Sequence, residues 1–85
     1  MTYSVELTSS ARRDVAALES DVAQRIGAAL EALRTNPRPN GSIRLADEKG
    51  AYRVRVGTHR IKYHVDDAIR RVLVTKIQHR REVYR

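Results

Sequence analysis

The sequence predicts an α+β fold: an N-terminal strand and a two-helix hairpin packed on a mostly antiparallel sheet of four to five strands, followed by a short C-terminal element. Three observations lead to this prediction. Residues 52–65 alternate between apolar and basic side chains, residues 11–33 carry apolar side chains at helical spacing, and residues 71–77 are a nearly continuous apolar run. At 85 residues the chain is expected to form one domain, residues 1–85, around a single small core.

The N-terminal half is predicted to contain one strand and two helices. Residues 3–7 alternate as a short strand, and residues 8–10 offer helix-capping hydroxyl groups. The first helix carries its apolar side chains at i, i+4 and i+7, on Ala11, Val15 and Leu18. Ser20 and Asp21 can cap a second helix, whose continuous apolar stripe is Val22, Ile26, Ala29, Leu30 and Leu33.

The C-terminal half is predicted to supply the rest of the sheet. Residues 35–42 are rich in Pro, Asn and Gly and form a loop, and residues 43–45 are a short candidate strand. Turns are expected at 47–50 and 66–68. The apolar run at 71–77 is typical of a strand inside a sheet, so the element order is β-α-α-β-β-β-β.

A hairpin lies at the centre of this half. Gly57-Thr58 separates its two alternating segments, and glycine at the first central position is typical of a two-residue type II′ turn. That turn fixes the register, in which apolar residues face apolar residues and cations face cations. The predicted pairs are Tyr52 with Tyr63, Arg53 with Lys62, Val54 with Ile61 and Arg55 with Arg60.

Like charges placed directly opposite each other destabilise an antiparallel pair by a few tenths to about 1 kcal/mol. A merely solvated face can mix its charges without that cost. The arrangement therefore favours a polyanionic ligand on an open, basic face of the hairpin.

The net charge of +7 is unevenly distributed. Residues 1–42 hold five basic and five acidic residues, whereas residues 43–85 hold twelve basic and five acidic ones. Fourteen of the seventeen cations are arginine, which suits bidentate recognition of phosphate. The second half therefore predicts a surface for nucleic acid or an acidic partner.

Several classes of function lack support in the sequence. There is no cysteine, no apolar segment of membrane-spanning length and no secretory leader pattern, so we expect a cytoplasmic protein without membrane contact. No nucleotide-binding glycine motif and no metal-ligand spacing is present, so no cofactor or metal is predicted. His59 and His64 are interpreted as structural residues.

The run YRVRVGTHRIKYHV, followed by HRREVYR, resembles the RelE branch of the RelE/ParE superfamily of bacterial and archaeal toxins. The resemblance covers essentially the whole chain. It implies a toxin of a type II toxin–antitoxin system: a ribosome-dependent endoribonuclease that cleaves mRNA in the ribosomal A site and contacts the ribosome and its rRNA. It also implies a cognate antitoxin, here expected to be acidic, and contact with promoter DNA only through the antitoxin complex.

The resemblance also assigns roles to individual residues. Arg53 and Arg55 take the positions of the basic residues on the first hairpin strand, and Arg60 that of the arginine opening the second strand. In the terminal element the catalytic arginine falls on Arg80, with Arg81 as the alternative, and the base-stacking tyrosine on Tyr84. Two departures are arginine where some relatives have lysine, and Thr58-His59 in the turn.

Cleavage by the RNA's own 2′-hydroxyl group needs a general base as well as cations. Arginine is a poor base because it stays protonated. Lys62 can serve if its basic neighbours favour its neutral form, and His79 is the other candidate, although it is equally well interpreted as a solvent-facing residue at a strand end. Both remain open.

Two rival functions remain, and the retained set Arg53, Arg55, Arg60, Arg80 and Tyr84 argues against the first of them. One is the ParE-like branch, with the same fold, which binds DNA gyrase without nuclease activity. The other is a non-catalytic nucleic-acid-binding module whose basic face only holds phosphates.

Overall fold

The computed structural model describes residues 2–79, which form two helices and a five-stranded sheet. The elements are β1 (Ser4–Leu7), α1 (Ser9–Ala16), α2 (Ser20–Thr35), β2 (Ile43–Arg44), β3 (Ala51–Val56), β4 (His59–Asp66) and β5 (Arg71–His79). The predicted α+β class, N-terminal strand, helix pair and element order are confirmed. The predicted short C-terminal element lies outside the described residues.

The strand order in the sheet is β1-β5-β4-β3-β2. β1 pairs with β5 in parallel, and the other neighbours are antiparallel. β5 therefore has a partner on each side, as its apolar sequence predicts. The chain crosses from β1 through both helices before it builds the antiparallel part.

α1 begins with the predicted N-cap, and one of its side chains extends the hydrogen bonding that β1 makes along the edge of β5. The Thr8 hydroxyl accepts a hydrogen bond from the Ala11 amide at 3.2 Å. β1 pairs with β5 only as far as Val74, and beyond that point the Asp14 carboxylate on α1 accepts the Ile77 amide at 2.9 Å. The helix thus satisfies a donor on β5 that β1 is too short to reach.

The predicted cap of α2 is wrong by one residue. Glu19 occupies the N-cap position and makes no side-chain capping bond, while Ser20 and Asp21 lie in the first turn. There Asp21 still interacts favourably with the positive end of the helix dipole. The predicted stripe is confirmed, since Ile26 and Leu33 are buried in the core and Val22, Ala29 and Leu30 pack against it.

The core lies between the helices and one face of the sheet. Ala11, Ile26 and Leu33 from the helices meet Val54, Ile61, Tyr63, Val65, Val72, Val74 and Ile77 from β3, β4 and β5. In β5 the buried positions are spaced by two residues and then by three. The pairing absorbs the extra residue: Lys62 lies opposite Lys76 but Tyr63 lies opposite Val74, so Thr75 forms a bulge. Without this bulge Lys76, not Ile77, would face the helices.

A polar cluster joins the 36–42 loop to the β4–β5 turn. Arg38 donates to both carboxylate oxygens of Asp67, at 2.8 and 3.3 Å, and from Nε to the Tyr52 hydroxyl at 2.9 Å. Tyr3 donates to the same carboxylate at 2.6 Å. These hydrogen bonds, from Arg38 first and then Tyr3, hold the pKa of Asp67 below its usual value.

Tyr63 anchors the same loop from the core. Its side chain is 1 % exposed, its hydroxyl donates to the Pro37 carbonyl oxygen at 2.8 Å, and its ring stacks on Tyr52 with centroids 6.0 Å apart. Burial raises the pKa of Tyr63 to about 12, because the phenolate would lose its hydration.

Candidate nucleic-acid interface

The register of the central hairpin is the predicted one. Arg53 lies opposite Lys62 and Arg55 opposite Arg60, with the apolar pairs between and beside them. Gly57 has a φ of 60°, whereas Thr58 does not have a positive φ, and this combination is typical of the type II′ turn. The turn therefore places all four cations on one face of the sheet, opposite the helices.

That face is only partly open, which corrects the expectation of an open basic face on the hairpin. Arg60 is 6 % exposed and Ala51 is 2 % exposed, although both lie on the side away from the helices. The physical reason is that residues 45–50 fold back over this face, whereas the sequence predicted only a turn at 47–50 after a strand ending at residue 45.

Backbone hydrogen bonds hold this connection in place. The Leu45 amide donates to the Ala51 carbonyl at 2.9 Å, and the Ala51 amide donates to the Glu48 carbonyl at 3.2 Å. The Val65 amide donates to the Gly50 carbonyl at 2.9 Å, and Gly50 adopts a φ of 79°, a conformation that favours glycine. We call residues 45–50 the acidic loop, because Asp47 and Glu48 lie within it.

A cavity of about 260 Å³ separates the acidic loop from the hairpin. Cations from both hairpin strands line one side of it, and the acidic loop lines the other. The charged and polar residues among its lining are Arg53, Arg60, Lys62, Gln78, Asp47 and Glu48.

Arg53 offers this cavity a hydrogen-bond donor. Its Nε atom is buried and has no hydrogen-bond partner among residues 2–79. Buried donors are nearly always satisfied in proteins, so an unsatisfied one beside a cavity favours an incoming acceptor. A phosphate oxygen meets the geometry and the charge of a guanidinium group.

Glu48 and Asp47 are the residues that the sequence analysis missed. Glu48 Oε2 lies 3.0 Å from Nε2 of His64. The sequence analysis, which interpreted His64 as a structural residue, did not anticipate this partner. The sequence does contain a signal: two adjacent carboxylates, separated from Gly50 by Lys49, stand just before a strand that carries two arginines.

Only part of the predicted site is brought together. Arg53, Arg60 and Lys62 share the cavity, and Arg55 lies exposed beside Arg60 on the same face. His79 pairs with His59 on the helix-facing side, where their rings meet edge to face at 5.1 Å. Arg80, Arg81 and Tyr84 lie outside the described residues, and their roles stay predictions.

Lys76 is a further cation of β5, and its ammonium group is occupied by α1. It lies 3.4 Å from the Asp14 carboxylate and 3.3 Å from the Ser10 hydroxyl. The strand register places Lys76 opposite Lys62. The contacts with Ser10 and Asp14 nevertheless hold the Lys76 ammonium group beside α1.

Comparison with known proteins places the chain in a family. The profile described as "ParE toxin of type II toxin-antitoxin system, parDE" matches residues 5–84. The chain belongs to this toxin family. Toxin RelG of Mycobacterium tuberculosis is 31 % identical over 86 residues, which cover 100 % of this chain and 99 % of that protein. Putative toxin RelE1 of Methanocaldococcus jannaschii is also 31 % identical, over 90 residues, 100 % of this chain and 98 % of the relative.

Solved structures agree with this assignment. A chain of the archaeal RelE–RelB complex from Pyrococcus horikoshii has a TM-score of 0.84 at 24 % identity, covering 94 % of this chain and 97 % of that chain. A chain of the toxin–antitoxin complex RelBE2 from M. tuberculosis has a TM-score of 0.82 at 26 % identity, covering 93 % and 99 %. The predicted membership as a RelE-like toxin of the RelE/ParE superfamily is confirmed. Within residues 2–79 neither helix is long and apolar enough to cross a lipid bilayer.

Proposed function

We propose that this toxin is a ribosome-dependent endoribonuclease that cleaves mRNA in the ribosomal A site. The observation that carries the proposal is the convergence of Arg53, Arg60 and Lys62 on one cavity, with the Arg53 Nε atom buried and unsatisfied by residues 2–79. A scissile phosphate that enters this cavity gains three cationic contacts from a rigid two-stranded scaffold.

These cations suit one part of the reaction. Attack of the 2′-oxygen on phosphorus builds negative charge on the non-bridging oxygens, and preorganised guanidinium donors stabilise that charge. Arg53 and Arg60 come from adjacent strands and are fixed in register with their cross-strand partners. Arg80, or Arg81, and Tyr84 would complete the site from the C-terminal segment, with Tyr84 stacking on a base.

Dependence on the ribosome follows from the shape of the site. At about 260 Å³ the cavity can hold a phosphate group but not an RNA strand, so by itself it does not force free RNA into the in-line geometry of 2′-hydroxyl attack. Correct positioning can lower such a barrier by about 7–11 kcal/mol. A ribosome holds A-site mRNA in a fixed conformation and supplies that positioning.

A cognate antitoxin is the protein partner we propose. Related chains are known from RelE–RelB and RelBE2 complexes, and a basic face of this kind favours an acidic segment that folds on contact. Association should be fast and should slow with added salt. Contact with promoter DNA would occur through the antitoxin complex.

A ParE-like gyrase inhibitor is the second candidate, since the family that matches residues 5–84 carries the ParE description. One pair of assays separates the two functions. We expect the purified toxin to cut mRNA in a reconstituted translation reaction and to leave gyrase supercoiling unaffected. Inhibited supercoiling with intact mRNA would support the ParE-like function. If the protein shows neither effect, a non-catalytic nucleic-acid-binding module is the remaining function.

A further inference from the structure

The proposed cleavage still lacks a general base, the group that removes the proton from the 2′-hydroxyl group. The cations that line the cavity stabilise negative charge but do not accept a proton while they are charged. Asp47 and Glu48 of the acidic loop are among the residues that line the same cavity as Arg53, Arg60 and Lys62.

Glu48 differs from Asp47 in being held in place. Its Oε2 atom lies 3.0 Å from His64 Nε2, which leaves the other carboxylate oxygen available. Glu48, Lys62 and His64 also line a second, smaller cavity of about 40 Å³, so the glutamate lies where the two cavities adjoin. No hydrogen bond or ion pair holds the Asp47 side chain within residues 2–79.

The position of the acidic loop is fixed by the fold. The Glu48 carbonyl accepts the Ala51 amide, and Gly50, two residues later, accepts the Val65 amide. The loop is therefore tied to both hairpin strands, which carry the cations. A carboxylate presented by this loop keeps a defined relation to a phosphate bound on those cations.

We propose that Glu48 is the general base of the cleavage reaction, an inference that rests on the proposed function. The O–H bond of the 2′-hydroxyl group breaks, and its proton moves to the Glu48 carboxylate. The 2′-oxygen forms a bond to phosphorus while the bond from phosphorus to the 5′-oxygen breaks, and the 5′-oxygen takes a proton from water. The products are a 2′,3′-cyclic phosphate and a 5′-hydroxyl group, and Glu48 returns its proton to solvent.

This assignment replaces the two bases that the sequence left open. Lys62 lies in the cavity, where its ammonium form adds to the cations that stabilise the phosphorane. His79 pairs with His59 on the opposite side of the sheet and does not line the cavity. Glu48 combines a position in the lining of the cavity with a carboxylate that His64 holds in place.

The test compares Glu48→Gln with Asp47→Asn, which removes the same charge from the neighbouring position. Single-turnover cleavage of mRNA on programmed ribosomes is measured together with toxin affinity for those ribosomes. We expect Glu48→Gln to lower the cleavage rate by about 100- to 10,000-fold, the usual contribution of a general base. Its affinity should be unchanged or higher, because a negative charge beside the cations is gone. Asp47→Asn should keep the parent rate, and Glu48→Asp should recover part of it.

Each other outcome has a definite meaning. If the parent cleaves and Glu48→Gln cleaves equally fast, the inference is wrong and the proposed function stands. Equal losses in Glu48→Gln and Asp47→Asn, or a loss accompanied by a lower melting temperature, would show a general charge or folding effect and would also overturn it. A parent protein that leaves translated mRNA intact overturns both the inference and the proposed function.

Discussion

Arg55 and Arg60 lie directly opposite each other across the central hairpin, yet the Arg55 side chain is exposed and Arg60 is only 6 % exposed. The acidic loop and Gln78 share a cavity with Arg60 but not with Arg55. Two arginines that the sequence pattern makes equivalent therefore have different surroundings. The Arg55 side chain lies in solvent, where its charge repels that of Arg60, whereas the Arg60 side chain is packed inside the protein.

Replacing Arg55 by Gln should leave folding intact and reduce activity. The change removes one cation from a repulsive cross-strand pair, so the free energy of unfolding should stay the same or rise by a few tenths to about 1 kcal/mol. Toxicity and mRNA cleavage should fall, because the RNA loses a cationic contact on the exposed face beside the cavity. Urea unfolding and a cleavage assay on the same preparation measure both effects.

Arg60→Gln is the matched control for that experiment. It removes the same charge from the same pair but takes a long side chain out of a buried position, so it should destabilise the protein by roughly 1–3 kcal/mol. An Arg55→Gln protein that unfolds as easily as Arg60→Gln would show that Arg55 is structural.

The hairpin was predictable because its determinants are local. Gly57 selects the turn, the turn selects the register, and period-two alternation separates the faces. The helices were equally predictable, because the capping residues and the apolar stripe are also local features of the sequence. The error at the α2 cap arises because three adjacent polar residues, 19–21, can each occupy that position, and the choice depends on tertiary contacts.

Other features depend on contacts that are distant in sequence. Burial of Arg60 and Ala51 follows from how the acidic loop folds back, which no local pattern specifies. The bulge at Thr75 was encoded in the unequal spacing of Val72, Val74 and Ile77, but a continuous apolar run hides that spacing until the helix-facing side is known. The placement of His79 beside His59 is a direct consequence of the bulge.

Stability at high pH should depend on Tyr63. The folded state raises its pKa to about 12, so between about pH 10 and 12 the unfolded chain loses the phenolic proton first. The free energy of unfolding is therefore fully retained below pH 10 and should fall above it, by up to about 1.4 kcal/mol per pH unit. Denaturant unfolding across this range should show a shallower decline in Tyr63→Phe.

The Tyr63→Phe substitution has a second effect at neutral pH. It leaves the Pro37 carbonyl oxygen without its buried donor, so it should cost about 0.5–1.5 kcal/mol. Tyr3→Phe is a suitable comparison, because its hydroxyl donates to Asp67 at an exposed site and its loss should cost less. Equal costs for the two variants would contradict the importance of the buried anchor.

Stability in acid should depend on Asp67. Its pKa is held below the usual value by Arg38 first and Tyr3 second, so the folded state binds this proton less readily than the unfolded chain. The stabilising contribution is present above about pH 4 and is lost as the pH falls through the folded value. Asp67→Asn should therefore show a smaller loss of stability between pH 5 and 2 than the parent. A parallel decline in both proteins would indicate that other carboxylates control the acid transition.

Production of this chain alone should arrest bacterial growth, and co-production of a cognate antitoxin should relieve the arrest. The reason is that the proposed cleavage removes translated messages, while the antitoxin covers the basic face. Growth curves with inducible expression test this, with Arg53→Gln as the weakened control. Harmless accumulation of the intact chain would count against the toxin activity.

The ribosome dependence of cleavage tests the central proposal most directly. One mRNA is incubated with the purified chain either in a reconstituted translation reaction or free in the same buffer, and the new ends are mapped by primer extension. The proposal predicts rapid cutting within the A-site codon, with a 2′,3′-cyclic phosphate, and little or no cutting of the free RNA. Equal rates with and without ribosomes would contradict it and indicate a self-sufficient ribonuclease.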